Sequence, residues 1–228
     1  MFKSRYLPKV AIILFLGVIS IFAWKFSQKW LQQVCFIPIE VVSIKDKLQY
    51  VDPLAVKNVV MEHVQEGFFG MRVARVQQEL KALPWVASAQ VQRRWPGALE
   101  INLAERQPLA TWQGKGVIDT EGKLFFPPNV AAVQGLPNFL GSQEMIDTMV
   151  DTYLLILSSL KPIGLAVSSL EIMPDRGWRA IIDNGMTIIL GQNELAERLS
   201  RFVTAYDKIV GEKPSIVDLR YTNGLAIG

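Results

Sequence analysis

The chain has 228 residues, half of them apolar, with 24 Lys and Arg against 21 Asp and Glu and a formal charge of +3. Five of the bases (Lys3, Arg5, Lys9, Lys25 and Lys29) fall in residues 1–30, which hold no acid. The remainder carries 19 bases against 21 acids, leaving no basic stripe for a phosphate backbone, so nucleic acid is excluded as an expected partner. One cysteine (Cys35) and one histidine (His63) likewise exclude an internal disulfide and a Cys/His zinc site.

Val10 to Trp24 is an uncharged apolar run between Lys9 and Lys25. Alone it spans about 22 Å as a helix, at ~1.5 Å per residue, short of a hydrocarbon core of ~30 Å. Leu7, Phe26 and Trp30 extend it, with the lysines snorkelling outward. A cleaved signal peptide competes with this reading. The bulky Phe22-Ala23-Trp24 does not fit a small-x-small cleavage site, so an uncleaved anchor is expected. The organisation predicted is a cytoplasmic tail over 1–9 and a transmembrane and juxtamembrane segment over 10–30. The charge bias that puts the N-terminus in the cytoplasm is weak. Cys35 reads as a buried or juxtamembrane thiol.

Beyond the anchor, Phe36 to Ile44 is rich in β-branched residues and predicts a strand. Asp52-Pro53 starts a helix, with Asp as N-cap and Pro at the first position. Val56, Val59, Val60 and Val64 form its apolar stripe. His63 falls on or beside that stripe, so it reads as a packed helix residue rather than a catalytic base. Gly67-Phe68-Phe69-Gly70 is expected to end this helix. A second runs from Val73 to Ala82, with Val73, Val76, Leu80 and Leu83 on one face. Val86 to Arg94 predicts a strand, Trp95-Pro96-Gly97 a turn, and Leu99 to Leu103 a strand alternating at period two. Residues 36–105 thus read β-α-α-β-β, a helical pair on one face of a small sheet.

Residues 106–228 predict a mixed β domain with two helices, making the fold class α+β. Leu109 to Trp112 is a strand. Val117-Ile118-Asp119 and Lys123 to Phe126 form a hairpin. Ser142 to Leu160 is a helix with Ser142 as N-cap and Met145, Met149, Tyr153, Leu154 and Ile156 among its apolar residues. Ala166 to Ile172 is a strand. Trp178 to Ile182 and Met186 to Leu190 form a hairpin whose Asn184-Gly185 suits a tight primed turn. Gln192 to Ile209 is an amphipathic helix with Leu195, Leu199, Phe202 and Tyr206 on one face and Glu194–Arg198 and Glu197–Arg201 as i,i+4 pairs. Ser215 to Tyr221 is a strand, Thr222-Asn223-Gly224 a turn, and Leu225 to Gly228 a final apolar segment.

No phosphate loop, nucleophile elbow, metal cluster or nucleophile–base pair stands out. Glu121 and Asp147 have ordinary turn and helix-surface readings. Neither catalytic residues nor a cofactor, metal or small-molecule substrate is expected, and the chain reads as a non-enzymatic binding protein.

Leu83-Pro84-Trp85-Val86, Arg94-Trp95-Pro96-Gly97, Ile101 and Glu105-Arg106-Gln107-Pro108-Leu109-Ala110 closely resemble the FtsQ/DivIB bacterial cell-division family, and residues 36–105 resemble a POTRA domain. Trp112, Val117-Ile118-Asp119 and Gly122 fit the same pattern, as do Val217-Asp218-Leu219-Arg220-Tyr221, Gly224 and Ala226. The resemblance implies a single-pass inner-membrane protein at the division septum, with both domains in the periplasm. It implies FtsB and FtsL as partners of the β domain, and FtsK and other upstream division proteins as contacts of the POTRA domain. It places FtsB contacts at Arg220, Tyr221, Gly224, Leu225, Ala226 and Ile227, with Arg176 and Trp178 nearby; Val91 and Arg93 are the expected POTRA contact surface. Relatives often continue past the position of Gly228 with an aromatic residue, so a reduced or differently built FtsB surface is also expected.

The residues themselves support a docking edge, because a last strand with no successor lies at a sheet border, where added strands pair. Arg220 could grip a partner carboxylate. The alternative is a solvated Arg220 with Leu225 to Ile227 closing the protein's own core. Two other function classes compete with the scaffold: a POTRA-containing assembly chaperone for outer-membrane proteins, and an anchored cell-wall hydrolase.

Overall fold

The computed structural model describes residues 15–28, 39, 41–44, 48–130 and 133–228. Helix α1 covers residues 15–28, and its apolar side chains, Phe15, Ile19, Phe22 and Trp24 among them, are exposed. Among the described residues no helix is long and apolar enough to cross a membrane. Residues 1–14, 29–38 and with them Cys35 lie outside the described residues, so α1 takes in only part of the expected span.

The chain divides into two compact units, Met1–Glu105 and Arg106–Gly228. In the first, β1 (Val41–Ile44) is followed by helices α2 (Pro53–Val64), α3 (Gly67–Gly70) and α4 (Val73–Lys81), then β2 (Val86–Arg94) and β3 (Ala98–Glu105). The sheet order is β1-β3-β2, parallel between β1 and β3 and antiparallel between β2 and β3. The central strand is thus the last in sequence.

Helix α2 starts where Asp52 accepts the Leu54 N–H at 2.9 Å, with Pro53 in the first turn. It buries Val56, Val60 and His63. Gly67–Gly70 does not simply end this helix: it winds one further short turn, which buries Phe68 and leaves Phe69 exposed. Helix α4 turns Val76 and Leu80 inward and packs on β2, whose Ala89 and Val91 are buried, as are Leu99, Ile101 and Leu103 of β3. The imperfect alternation of β2 is explained by a bulge between Val86 and Ser88, which brings Val86 and Ala89 to the same side.

The second unit is a nine-stranded sheet of order β12-β11-β10-β9-β8-β7-β4-β5-β6. Its strands are β4 (Pro108–Trp112), β5 (Gly116–Asp119), β6 (Leu124–Phe125), β7 (Asn138–Leu140), β8 (Val167–Met173), β9 (Gly177–Ile182), β10 (Thr187–Gly191), β11 (Ile216–Asp218) and β12 (Ala226–Ile227). Helices α5 (Ile146–Leu160) and α6 (Leu195–Ile209) pack on each other and against β8 and β10. Phe139, Met149, Ile156, Leu170, Leu199 and Phe202 are fully buried between the helices and the sheet. Each such side chain contributes about 1.5–3 kcal/mol of burial free energy.

Several local expectations are corrected. Strand β7 has no counterpart in the sequence reading: it is three residues long, and Phe139 is its one core residue. Ser142 caps a 3-10 turn, Gln143–Met145, without a side-chain hydrogen bond, and the α-helix begins only at Ile146. Leu154 is 47% exposed. The β9–β10 hairpin does not use a two-residue primed turn. The Gly185 N–H donates to the Ile182 carbonyl at 3.0 Å, and Gly185 carries the positive φ of +87°. That is the three-residue loop, a type I turn closed by a left-handed glycine. Helix α6 starts at Leu195 rather than Gln192, because Glu194 sits at φ +54°. Arg198 and Arg201 do not pair with Glu194 and Glu197; both guanidiniums reach backbone carbonyls instead, at Leu190 (2.6 Å) and Tyr221 (2.9 Å).

Consecutive motif residues have separate structural tasks. The Glu105 carboxylate accepts the N–H groups of Gln49, Tyr50 and Val51 at 2.7–3.0 Å, tying the segment before α2 to the end of β3. Arg106 donates to buried Asp119 at 2.8 Å and lies over the Phe125 ring. Asp119 in turn accepts the N–H groups of Glu121 and Lys123, which shapes the β5–β6 turn.

Candidate functional site

Strand β12 forms one border of the large sheet and pairs antiparallel with β11, Ile227 facing Val217 and Ala226 facing Asp218. Gly228 and Ile216 exchange hydrogen bonds, each at 2.9 Å. Antiparallel pairs alternate, so the next residue, Ile227, turns its N–H and C=O away from β11. Ala226 and Ile227 are exposed, Ile227 by 38%, whereas Leu225 packs on the core under the helices. The two readings of Leu225 to Ile227 therefore divide: Leu225 helps close the core, while Ala226 and Ile227 stay at the border.

The loop before β12 is held from behind by α6, where Arg201 binds the Tyr221 carbonyl. Tyr221, 58% exposed, through Ala226 line a groove of about 410 Å³. Arg220 is not an idle cation. Its Nε lies 3.0 Å from Asp218 Oδ1 and its Nη2 2.7 Å from Oδ2. The guanidinium holds the Asp218 carboxyl below its usual range, and Asp218 raises Arg220. Sequence reading missed Asp218, although two residues apart on an extended chain means the same side, and that spacing is the available signal.

Gly177 and Gly191 assemble the rest of this corner. A Cβ on Gly177 would collide with the Gly191 carbonyl, and one on Gly191 would sit 3.1 Å from Arg220 Cγ. The turn bearing exposed Arg176 thus comes to the same corner as Arg220. Trp178 does not join that surface: it is 5% exposed and belongs to the core. Val91 is similarly turned inward, at 6%, because it faces α4. Arg93 is exposed, but its guanidinium donates to the Met71 carbonyl.

His63 has both ring nitrogens engaged, Nδ1 with Glu66 at 3.0 Å and Nε2 with Glu79 at 2.8 Å. Carboxylates at both nitrogens require an imidazolium, and these hydrogen bonds, Glu66 first, raise the His63 pKa while lowering those of Glu66 and Glu79. Glu62, His63 and Glu79 could bring one ligand atom each within 4.8 Å of one another. A metal at Nε2 would have to displace the Glu79 contact, and the arrangement is accounted for as a charge bridge between α2 and α4.

Comparison with known proteins gives consistent matches. The family model "Cell division protein FtsQ/DivIB, C-terminal" matches residues 110–220, and "POTRA domain, FtsQ-type" matches residues 37–106. The cell division protein FtsQ of Shewanella oneidensis is 34% identical over 210 residues, covering 91% of this chain and 80% of that protein. FtsQ of Coxiella burnetii is 32% identical over 194 residues, covering 84% and 80%. FtsQ of Aliivibrio fischeri is 25% identical over 227 residues, covering 98% and 89%.

Proposed function

Since the chain belongs to the FtsQ/DivIB cell-division family, we propose that it is a non-enzymatic scaffold of the septal division machinery, anchored by residues 10–30 in the inner membrane. In this reading the N-terminus is cytoplasmic, and both units lie in the periplasm. The β domain binds FtsB and FtsL, and the POTRA domain is recruited through FtsK and other upstream proteins. The all-round apolar exposure of α1 supports the anchor, since lipid takes the place of a protein partner around such a helix.

The observation that carries the partner reading is the β12 border. Among the described residues, Ile227 presents backbone groups without a partner beside the Tyr221–Ala226 groove and the Arg220 corner. A partner strand added there gains main-chain hydrogen bonds, and side-chain pockets supply specificity. For recruitment, β2 borders the POTRA sheet among the described residues, and exposed Gln90 and Gln92 lie along it, with Arg93 beside them held by the Met71 carbonyl.

Capture of tagged FtsB and FtsL from detergent extract tests this reading, comparing the full chain with one ending at Glu212. The full chain is expected to retain both and the shortened chain neither. Equal capture by the two chains would exclude the β12 border as the docking surface.

A further inference from the structure

The register of the POTRA sheet gives its two ends different characters. Val41 pairs with Ala98, and Ala98 pairs with Arg94, so the start of β1 lies at the same end as the Trp95-Pro96-Gly97 turn. This is the end at which the chain arrives from α1. The chain leaves at the other end, at Glu105, where Val86 pairs.

The arrival end is apolar and basic. Trp95 is 75% exposed. Helix α2 runs towards this end and α3 follows it, as the Arg93 contact with the Met71 carbonyl shows, which adds Phe69 at 49% exposure. Arg72, Arg93 and Arg94 are all exposed there. The acids nearby are Glu62, Glu66 and Glu79, grouped around His63, which engages Glu66 and Glu79, while Arg94 reaches back to Glu100 at 2.8 Å. Arg72 and Arg93 are left without a carboxylate partner among the ion pairs of the described residues. The departure end differs: Trp85 is buried and stacks on Tyr50 at 4.6 Å, and Glu105 ties down the neighbouring backbone.

We propose that the arrival end of the POTRA domain rests on the membrane, with Trp95 and Phe69 inserted at the headgroup–acyl boundary of an anionic phospholipid bilayer. The inference rests on the reading of residues 10–30 as an anchor. Thirteen residue steps separate the end of α1 from Val41, a reach of at most about 45 Å. That tether keeps a lipid surface at high local concentration, so a small contact suffices. Tryptophan, with an apolar body and a polar N–H, partitions to this boundary, and arginines beside it face lipid phosphates. An exposed aromatic tip beside arginines, at the end covalently nearest the anchor, fits the bilayer boundary, where an apolar ring body and phosphate-facing guanidiniums are both satisfied.

The test uses the full chain reconstituted in phosphatidylcholine–phosphatidylglycerol vesicles, with lipids brominated in the upper acyl chain as quenchers. The emission of one tryptophan is the difference between wild type and its Phe variant. The Trp24→Phe difference reports the anchor, and the Trp95→Phe difference reports the tip. Both are expected to lose most of their intensity to the brominated lipid, and the Trp95 loss is expected to shrink in pure phosphatidylcholine. If Trp24 is quenched and Trp95 is not, the anchor stands and this inference falls. If Trp24 is not quenched and the chain fails to float with vesicles, the anchor reading itself falls and takes the inference with it. Loss of partner capture in Trp95→Ala without Trp95 quenching would assign the tip to a protein instead.

Discussion

The Arg220 guanidinium spans both oxygens of Asp218, two residues before it, with Nη2 2.7 Å from Oδ2. The pair presents a neutral surface beside the β12 border rather than an isolated positive charge. Arg220→Glu sets two carboxylates against each other, and retention of FtsB in a pull-down is expected to fall at least tenfold, roughly 1.4 kcal/mol or more. Asp218→Asn frees the guanidinium and is expected to preserve or strengthen retention. Asp218→Asn keeps an acceptor for the Arg220 N–H and is expected to leave the thermal midpoint nearly unchanged, whereas Arg220→Glu sets a like charge against the largely buried Asp218 and is expected to lower it modestly.

His63 makes the POTRA domain pH-sensitive in a defined direction. Its pKa is raised in the folded state, so its contribution is complete below its unfolded value of ~6.5 and is lost as pH rises through the folded value. Glu66 and Glu79 are lowered, so theirs is complete above ~4.3 and is lost as pH falls through their folded values. The urea midpoint of the first unit should therefore be highest between about pH 4.5 and 6.5 and decline towards pH 9. His63→Gln should flatten the alkaline limb. His63 is the one histidine in the chain, so its NMR titration can be followed directly and should lie above that of a free imidazole.

Gly177→Ala places a methyl group on the Gly191 carbonyl at a residue with φ +75°. Crowding and left-handed strain together are expected to cost on the order of 3 kcal/mol, read from the denaturant midpoint of the second unit. Gly224→Ala, where a Cβ meets nothing within 4 Å, is the control and should be near neutral.

Glu105→Ala removes the acceptor of three backbone N–H groups. The expected loss is about 2–3 kcal/mol, with hydrogen-exchange protection falling first at residues 49–52. Arg106→Ala should act on the second unit instead, loosening the β5–β6 turn through Asp119.

Segments whose pattern is written in contiguous residues were legible from sequence. Asp52-Pro53 opens α2, Val86 to Arg94 is β2, and the alternation of Leu99, Ile101 and Leu103 matches the buried side of β3. The candidate site was legible in part, because Arg220, Tyr221, Gly224 and Ala226 stand in contiguous motif residues. The border position of β12 was decided by strand pairing, as the central place of β3, the last strand of its own sheet, makes plain. What escaped depends on remote partners. Trp178 and Val91 belong to strands with one face open and one closed, and only the helices above decide which face a residue takes. Arg198 and Arg201 have good i,i+4 acids, yet a carbonyl at the end of β10 and another in the Tyr221 loop compete successfully for them.

By itself the sequence determined the order of elements, the concentration of basic excess at the N-terminus and the motif residues that assign the family, because these depend on neighbours a few positions apart. The tertiary structure alone decided that β3 lies between β1 and β2, that β7 is inserted between β4 and β8, and that Asp218 holds Arg220 beside the border strand. It also decided that Trp95 shares an end with the start of β1. Those outcomes are set by which surfaces bury one another, and burial is a property of segments far apart in the chain.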